Sequence, residues 1–485
     1  MAHIDNDGGG GSLDARHEDR PIFSTPPEVW STIFELGKKI EEEEDVDNSY
    51  NTRNSMGTFQ VAVPSTCRHF RDIAMASPGL WTSIQIDEFS AAAAAAHASA
   101  AAADWLVKCI RRSRSRSLDI RVDFAEGSMS DIDETRVAHE LDIIIAEAHR
   151  WRSLSVAYDI ERKANPLISR LFDAPASGLQ HLSIHLGGAE ELDGELVRRK
   201  VDLPQIFTNG TPNLKFVRLR GLALYIFRPA LRTVVTLHLD QTVFLPFSYE
   251  NFRGILICSP VLAHLSLYGN MIDTNVSPWP ERSDMITMPT LLSLRLCAIQ
   301  GEMYRGVLLG IEAPLLESLT LESLQDSDLD ALWDLKDGGR YRRLQHLQFS
   351  EFDFSIRTYR RMFDTFPEIT SFSTPTISIV KSKLLDILRR GFPGEENYEL
   401  WPNLRDLKFP YDHTEEEFDV IKGVLETRRL RGRPIRDFGL IFETEEMPEE
   451  VPAFFEPDEA LSIWLGVPSW PIGSNWVDFD DDLFV

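Results

Sequence analysis

Basic and imidazole side chains recur in this chain at alternate positions of a repeated hexapeptide, and that placement limits what chemistry they can do. The hexapeptide reads L-x-x-L-x-L, for instance LQHLSI from Leu179, LKFVRL from Leu214 and LLSLRL from Leu291. Side chains alternate along a strand, so its leucines point to one face and their neighbours to the other. The second face then carries His181, Ser183 and His185; Phe216, Arg218 and Arg220; Thr236, His238 and Asp240; His264, Ser266 and Tyr268. Later strands add Ser293, Arg295 and Cys297; Ser318, Thr320 and Glu322; His346, Gln348 and Ser350; Asp406, Lys408 and Pro410. These eight strands hold four Arg or Lys, three Asp or Glu, and five of the twelve histidines. In a chain of net charge −26 that face is comparatively basic. It is expected to receive an acidic or phosphorylated protein segment centred on Arg218, Arg220, His238 and Arg295; an ordinary solvated sheet face is the alternative. A metal site would need several of His181, His185, His238 and His264 to converge within about 2.1 Å of one ion, and neither a metal nor a cofactor is expected.

Catalytic constellations are missing from the sequence. It has no nucleophile elbow, Walker loop, H-E-x-x-H or catalytic cysteine signature. The glycines Gly8 to Gly11 have no preceding strand and no following Lys-Ser/Thr, so a phosphate loop is not expected. Glu190, Glu191 and Glu195 fall in a loop run where a solvated face is the default. The expected role is not enzymatic.

The elements that must position these residues read as follows. The 485 residues exceed what one core holds and suit two or three domains or an elongated array. Eleven matches to the hexapeptide begin at Trp151, Leu179, Leu214, Val234, Leu262, Leu291, Leu316, Leu344, Ile369, Leu404 and Ile435. The intervals are 28, 35, 20, 28, 29, 25, 28, 25, 35 and 31 residues, near the leucine-rich-repeat period of about 20–29. Helical stretches are expected between strands, at Asp330 to Lys336, Tyr359 to Phe366 and Val420 to Arg429. A strand-plus-helix unit cannot bury its apolar face alone, and stacked units share a core; a leucine-rich helix bundle is the alternative. The fold class is α/β, with a short helical module followed by a curved repeat solenoid whose parallel sheet lines the concave face.

The domain reading is a disordered tail at 1–21, a helical module at 22–87 with an acidic insertion at 41–58, the solenoid at 88–443 and an acidic tail or cap at 444–485. In the module, STPPEVWSTIFELG places Thr25 as N-cap, Pro26 at the first helical position and Glu28 three residues after the cap. Val29, Trp30, Ile33 and Phe34 give one apolar face, and Gly37 suggests the helix end. After Pro64 a second pattern puts Cys67, Phe70, Ile73 and Ala74 on one face, with Trp81 as a packing residue. RRSRSRS, Arg111 to Ser117, reads as the basic end of a helix, with nuclear import, RNA contact or phosphorylation as the alternatives. Residues 444–485 hold eleven acidic residues, three tryptophans and no Lys or Arg.

Composition excludes other classes. The acidic balance repels nucleic acid and anionic membranes, so neither is an expected partner. The Ala91 to Ala103 run is too short to span a bilayer, and no signal-peptide core opens the chain. Cys67, Cys109, Cys258 and Cys297 are scattered, which fits a reducing compartment, cytoplasmic or nuclear.

TPPEVWSTIF (Thr25 to Phe34), TCRHFRDIAMASPGLWTSI (Thr66 to Ile84) and the HRWRSLSV and PNLKFVRL repeat entries together resemble F-box proteins with C-terminal leucine-rich repeats, a form abundant in mushroom-forming fungi. Thr25, Thr66 and Phe70 depart from the residues usual in that family. The resemblance implies a substrate-recognition adaptor of an SCF-type ubiquitin ligase. Its F-box would bind a Skp1-type adaptor, and through it a cullin-RING ligase, while the repeats bind an unknown protein substrate. The implied adaptor-facing residues are Pro26, Pro27, Glu28, Trp30, Ile33, Phe34, Val63, Cys67 and Phe70. The rival reading is a leucine-rich-repeat interaction scaffold that no longer engages Skp1.

Overall fold

The computed structural model describes residues 24–47, 58–87, 99–124, 134–158, 167, 169–187, 204–242, 247–272, 279, 285–298, 301–330, 341–374, 381–392, 400–410, 415–442, 461–465 and 470. The tail at 1–21, the insertion at 48–57, Glu190, Glu191 and Glu195, the helix expected over 331–336 and the last fifteen residues lie outside them. The chain forms two compact units, residues 1–123 with 127–153, and 124–126 with 154–485. Among the described residues no helix is long and apolar enough to cross a membrane.

The first unit opens with helix α1, Pro27–Asp47. Its cap is shifted by one residue from the sequence reading. The Pro26 carbonyl accepts the first helical bond, from Val29 N at 3.0 Å, so Pro26 stands at the cap and Pro27 at the first helical position. Gly37 does not end α1. A Cβ there would lie 2.5 Å from the Phe59 ring, so this glycine lets an aromatic residue pack against the helix backbone. The helix then continues through Glu41 to Glu44, whose straight side chains are good helix formers; the first part of the acidic insertion is therefore helix rather than loop.

Helix α2, Thr58–Thr66, contains Pro64 in its last turn. Helix α3, Arg68–Ala76, begins at Cys67, whose Sγ accepts from Phe70 N at 3.4 Å. A 3-10 turn, Pro78–Trp81, follows. Trp81 is fully buried, its indole N–H donates 2.8 Å to the Ala74 carbonyl, and the Arg112 guanidinium lies 4.3 Å from its ring. Strand β1, Ser83–Asp87, helix α4, Ser99–Ser113, strand β2, Leu118–Phe124, and helix α5, Glu134–Ile145, complete this part, with β1 and β2 paired in parallel. Arg111 and Arg112 occupy the last turn of α4, where positive charge complements the helix dipole. Strand β3, Trp151–Tyr158, ends the first unit and begins the second.

In the second unit the hexapeptides become strands: β4 (His181–Leu186), β5 (Phe216–Gly221), β6 (Thr236–Asp240) and β7 (His264–Tyr268). Beyond a two-residue strand β8 (Ile286–Thr287) come β9 (Ser293–Cys297), β10 (Ile311–Glu312), β11 (Ser318–Gln325), β12 (His346–Asp353) and β13 (Ser371–Ser373). The series closes with β14 (Asp406–Pro410), β15 (Asp437–Phe442) and β16 (Leu461–Leu465). Apart from the β8–β10 pair, these strands form one parallel sheet in chain order. The LSIWL stretch that the sequence leaves between cap and tail is thus the last strand of the sheet. Between strands run α6 (Ala223–Ile226), α7 (Tyr249–Ile257), α8 (Gly301–Gly310), α9 (Ile356–Thr365), α10 (Lys381–Arg390) and α11 (Glu415–Leu430). The helices expected around Tyr359 and Val420 are α9 and α11.

Register explains why the pattern folds this way. One lateral row reads Leu182, Val217, Leu237, Leu265, Leu294, Leu319, Leu347, Phe372 and Leu407, and every one of its side chains is buried. Eight of the units enter their strands by the same turn. The amide of Leu179, Leu214, Val234, Leu262, Leu291, Leu316, Leu344 and Leu404 donates to the carbonyl three residues earlier, at 3.0–3.3 Å. One residue closer to the strand, a ladder of amide-to-carbonyl bonds begins at Lys215 on Gln180 and runs unit to unit as far as Arg436 on Arg405. Such a row completes its apolar packing only when the next unit is in place, as the sequence period requires.

Candidate functional site

Two surfaces carry the residues singled out above, one in each unit. In the first unit, Trp30 and Phe34 of α1 meet Phe70 of α3 in an aromatic triangle. Trp30 and Phe70 have ring centroids 4.8 Å apart, and Phe34 and Phe70 meet edge-on at 5.3 Å. Phe34 and Val63 are buried, so their side chains hold the module together from inside; neither presents a surface to a partner. Trp30, Cys67 and Phe70 are half-buried, and Pro26, Pro27, Glu28 and Ile33 are exposed.

Ile33 belongs to a set the sequence reading did not assemble. Val29, Ile33, Leu36 and Ile40 are 44–55 % exposed. At about 100° per residue they fall within roughly 60° of arc on α1, whereas Trp30, Phe34 and Lys38 lie on the flank that packs inward. The i, i+4, i+7, i+11 spacing was visible in the sequence. Which flank of α1 is core depends on where α3 docks, and that was not. Val61 of α2 adds another exposed aliphatic to this unit.

The second surface is the polar face of the sheet. Register places Ser183, Arg218, His238, Ser266, Arg295, Thr320, Gln348, Ser373 and Lys408 in one lateral row. Arg220 and Asp240 are neighbours in the next row. Parallel strands lie about 4.8 Å apart, so the predicted residues Arg218, His238 and Arg295 are brought onto adjacent or near-adjacent strands, and Arg220 is half-buried beside them.

This face is not an open solvated one. Arg218, His238, Asp240, Ser266, Arg295, Thr320 and Glu322 are all buried. Arg218 Nε donates to Asp240 Oδ2 at 2.6 Å in a pair whose side chains are 1 % and 0 % exposed. Arg295 Nε donates to Ser266 Oγ at 3.2 Å. His181 stacks on Phe216 at 4.2 Å, and Phe216 meets His238 at 5.0 Å. Burial, reinforced by the Arg218 charge, holds His181 down at about 3 and His238 well below the usual imidazole range, and burial also lowers His264. These imidazoles are neutral at physiological pH and act as ring surfaces, not as cations. Among the described residues no three His, Cys, Asp or Glu side chains are grouped to hold a metal.

The described residue that lies over this face comes from far along the chain. Trp470, itself buried, meets His238 edge-on at 5.4 Å and His264 at 6.2 Å, and Arg295 Cζ is 5.1 Å from its ring centre. No local sequence signal pairs Trp470 with Arg295; the contact is made only by the fold.

Sequence reading also passed over Arg150. Its guanidinium donates to the carbonyls of Ile110, Arg114 and Arg116 and to Ser113 Oγ, satisfying the C-terminal end of α4. No protein-family model matches the chain, and no curated protein matches it.

Proposed function

We propose that this protein is a non-catalytic substrate receptor of an SCF-type ubiquitin ligase. The helical module at 22–87, within the first unit, is the F-box that docks a Skp1-type adaptor, and the repeats at 88–443 form a leucine-rich-repeat solenoid that holds a protein substrate. The observation that carries the reading is the apolar stripe Val29, Ile33, Leu36 and Ile40, exposed on a helix whose opposite flank already supplies the core of the module. Fully burying an aliphatic side chain is worth about 1.5–3 kcal/mol; four that are half-exposed would gain roughly 1 kcal/mol each in a partner groove, which is the helix-in-groove mode of recognition. The recurrent turn, the unit-to-unit ladder and the leucine row support the solenoid assignment. The chain would contribute proximity, raising the effective concentration of a substrate lysine near the ubiquitin thioester, with no acid or base of its own.

The test is co-purification of the full chain with Skp1 from the same organism. Wild type should capture the adaptor, and Ile33→Glu/Leu36→Glu should lose it while circular dichroism and gel-filtration behaviour stay unchanged. These two positions isolate the surface better than Phe34 does, since Phe34 lies in the core. Absence of capture by wild type would leave an interaction scaffold that does not engage Skp1.

A further inference from the structure

The polar face of the sheet contains a slot already filled by an indole. His238, Ser266 and Arg295 are consecutive members of one lateral row on β6, β7 and β9. The middle member is a serine, so a short side chain separates two long ones across about 9.6 Å of sheet. The two centroid separations of Trp470, 5.4 Å to His238 and 5.1 Å to Arg295, together span that interval. His264, one row over on the central strand, offers the ring a further edge contact.

The indole N–H of Trp470 makes no hydrogen bond among the described residues, so the ring is held by its faces and edges. That is recognition of an aromatic system: a desolvated guanidinium over the ring is drawn to its negative face, and the imidazole contacts are edge-to-face ring pairs. A neutral His238 and His264 suit it, because two cationic imidazoles would add repulsion beside Arg295. The segment that supplies the ring, residues 444–485, carries eleven acidic residues and no basic one.

We propose that His238, His264 and Arg295 form a receptor subsite for a tryptophan presented by an acidic peptide, and that Trp470 occupies it as an internal ligand which the partner must displace. The proposal rests on the second unit being the receptor. It is independent of adaptor capture by the first unit, so the two can fail separately.

The probe is a synthetic peptide of residues 464–485, added to full-length protein labelled with 5-fluorotryptophan. The Trp470 resonance is assigned by its disappearance in Trp470→Phe. Saturating peptide should move that resonance from its buried position to that of a solvent-exposed indole, while the same peptide carrying Trp470→Ala should need at least tenfold more to do so. An occupant of ~0.1 mM intrinsic Kd tethered at ~1 mM effective concentration weakens a competitor by roughly tenfold, so full-length Trp470→Ala should bind the peptide about ten times more tightly than wild type. Adding Arg295→Gln to that variant should remove the gain. A Trp470 resonance unmoved at saturation overturns the proposal, and this arm uses wild-type protein, so it decides even where Trp470→Ala does not fold. Equal binding of the Trp470→Ala peptide also overturns it, since attraction would then be by charge alone.

Discussion

Removing Asp240 should destabilise the sheet far more than removing the whole Arg218–Asp240 pair. The two groups meet at 2.6 Å with essentially no exposure. For unit charges ~4 Å apart at an effective dielectric constant of ~20, the attraction is about 4 kcal/mol, and desolvating each ion costs several kcal/mol. The pair is therefore close to neutral overall. Asp240→Ala leaves the Arg218 guanidinium buried without that carboxylate, which costs about 3–5 kcal/mol. Arg218→Met/Asp240→Leu removes both charges and fills the space, and should return stability to within about 1 kcal/mol of wild type. Because the chain has two compact units, the assay should be local: hydrogen exchange with mass spectrometry on peptides covering β5 and β6. At 1.36 kcal/mol per decade, Asp240→Ala should lower their protection by roughly two to four decades. Unchanged protection in Asp240→Ala, or a double variant as labile as the single one, would refute this account of the pair.

Two other predictions concern histidine burial and close packing. His181 and His238 stay neutral when folded, at about 3 for His181, but take up protons near 6.5 once unfolded. The unfolded state therefore binds more protons below 6.5, and stability falls as pH falls through the unfolded value. Each should withdraw roughly 1.4 kcal/mol between pH 7.5 and 5.5, read as exchange protection of β4 to β6, with His238→Gln flattening the slope. Gly306 of α8 lies against Trp279, whose ring would come 1.9 Å from an added Cβ. Overpacking costs about 1–3 kcal/mol and exceeds the ~1 kcal/mol of helix propensity that alanine supplies, so Gly306→Ala should lower the thermal midpoint.

What the sequence made legible is whatever repeats. The hexapeptide located strands β3 to β7, β9 and β11 to β15 because its two-residue period and its recurring turn are local, and each strand's inward leucines need only the next copy of themselves. Features set by one contact between distant residues were not legible. Gly37 read as a helix end because nothing nearby announces Phe59, and α2 was missed because Pro64, a common start signal, here sits near a helix end. The polar face was expected to meet solvent or a substrate. Its burial involves Trp470, whose partners lie on three strands of the sheet.

Strand β13 pairs through only three residues on each side, whereas β11 and β12 share seven register positions. In an array whose units interact with nearest neighbours, that short strand is the weakest coupling, the place where cooperativity should divide. Trp470 reaches from beyond β16 back to β6, β7 and β9, on the far side of that weak link. Among the described residues this adds a long-range term to a linear chain of couplings, so that opening at β13 alone does not release Trp470. Fraying of the last strands and exposure of the polar face become a single event, and loosening one should be felt at the other.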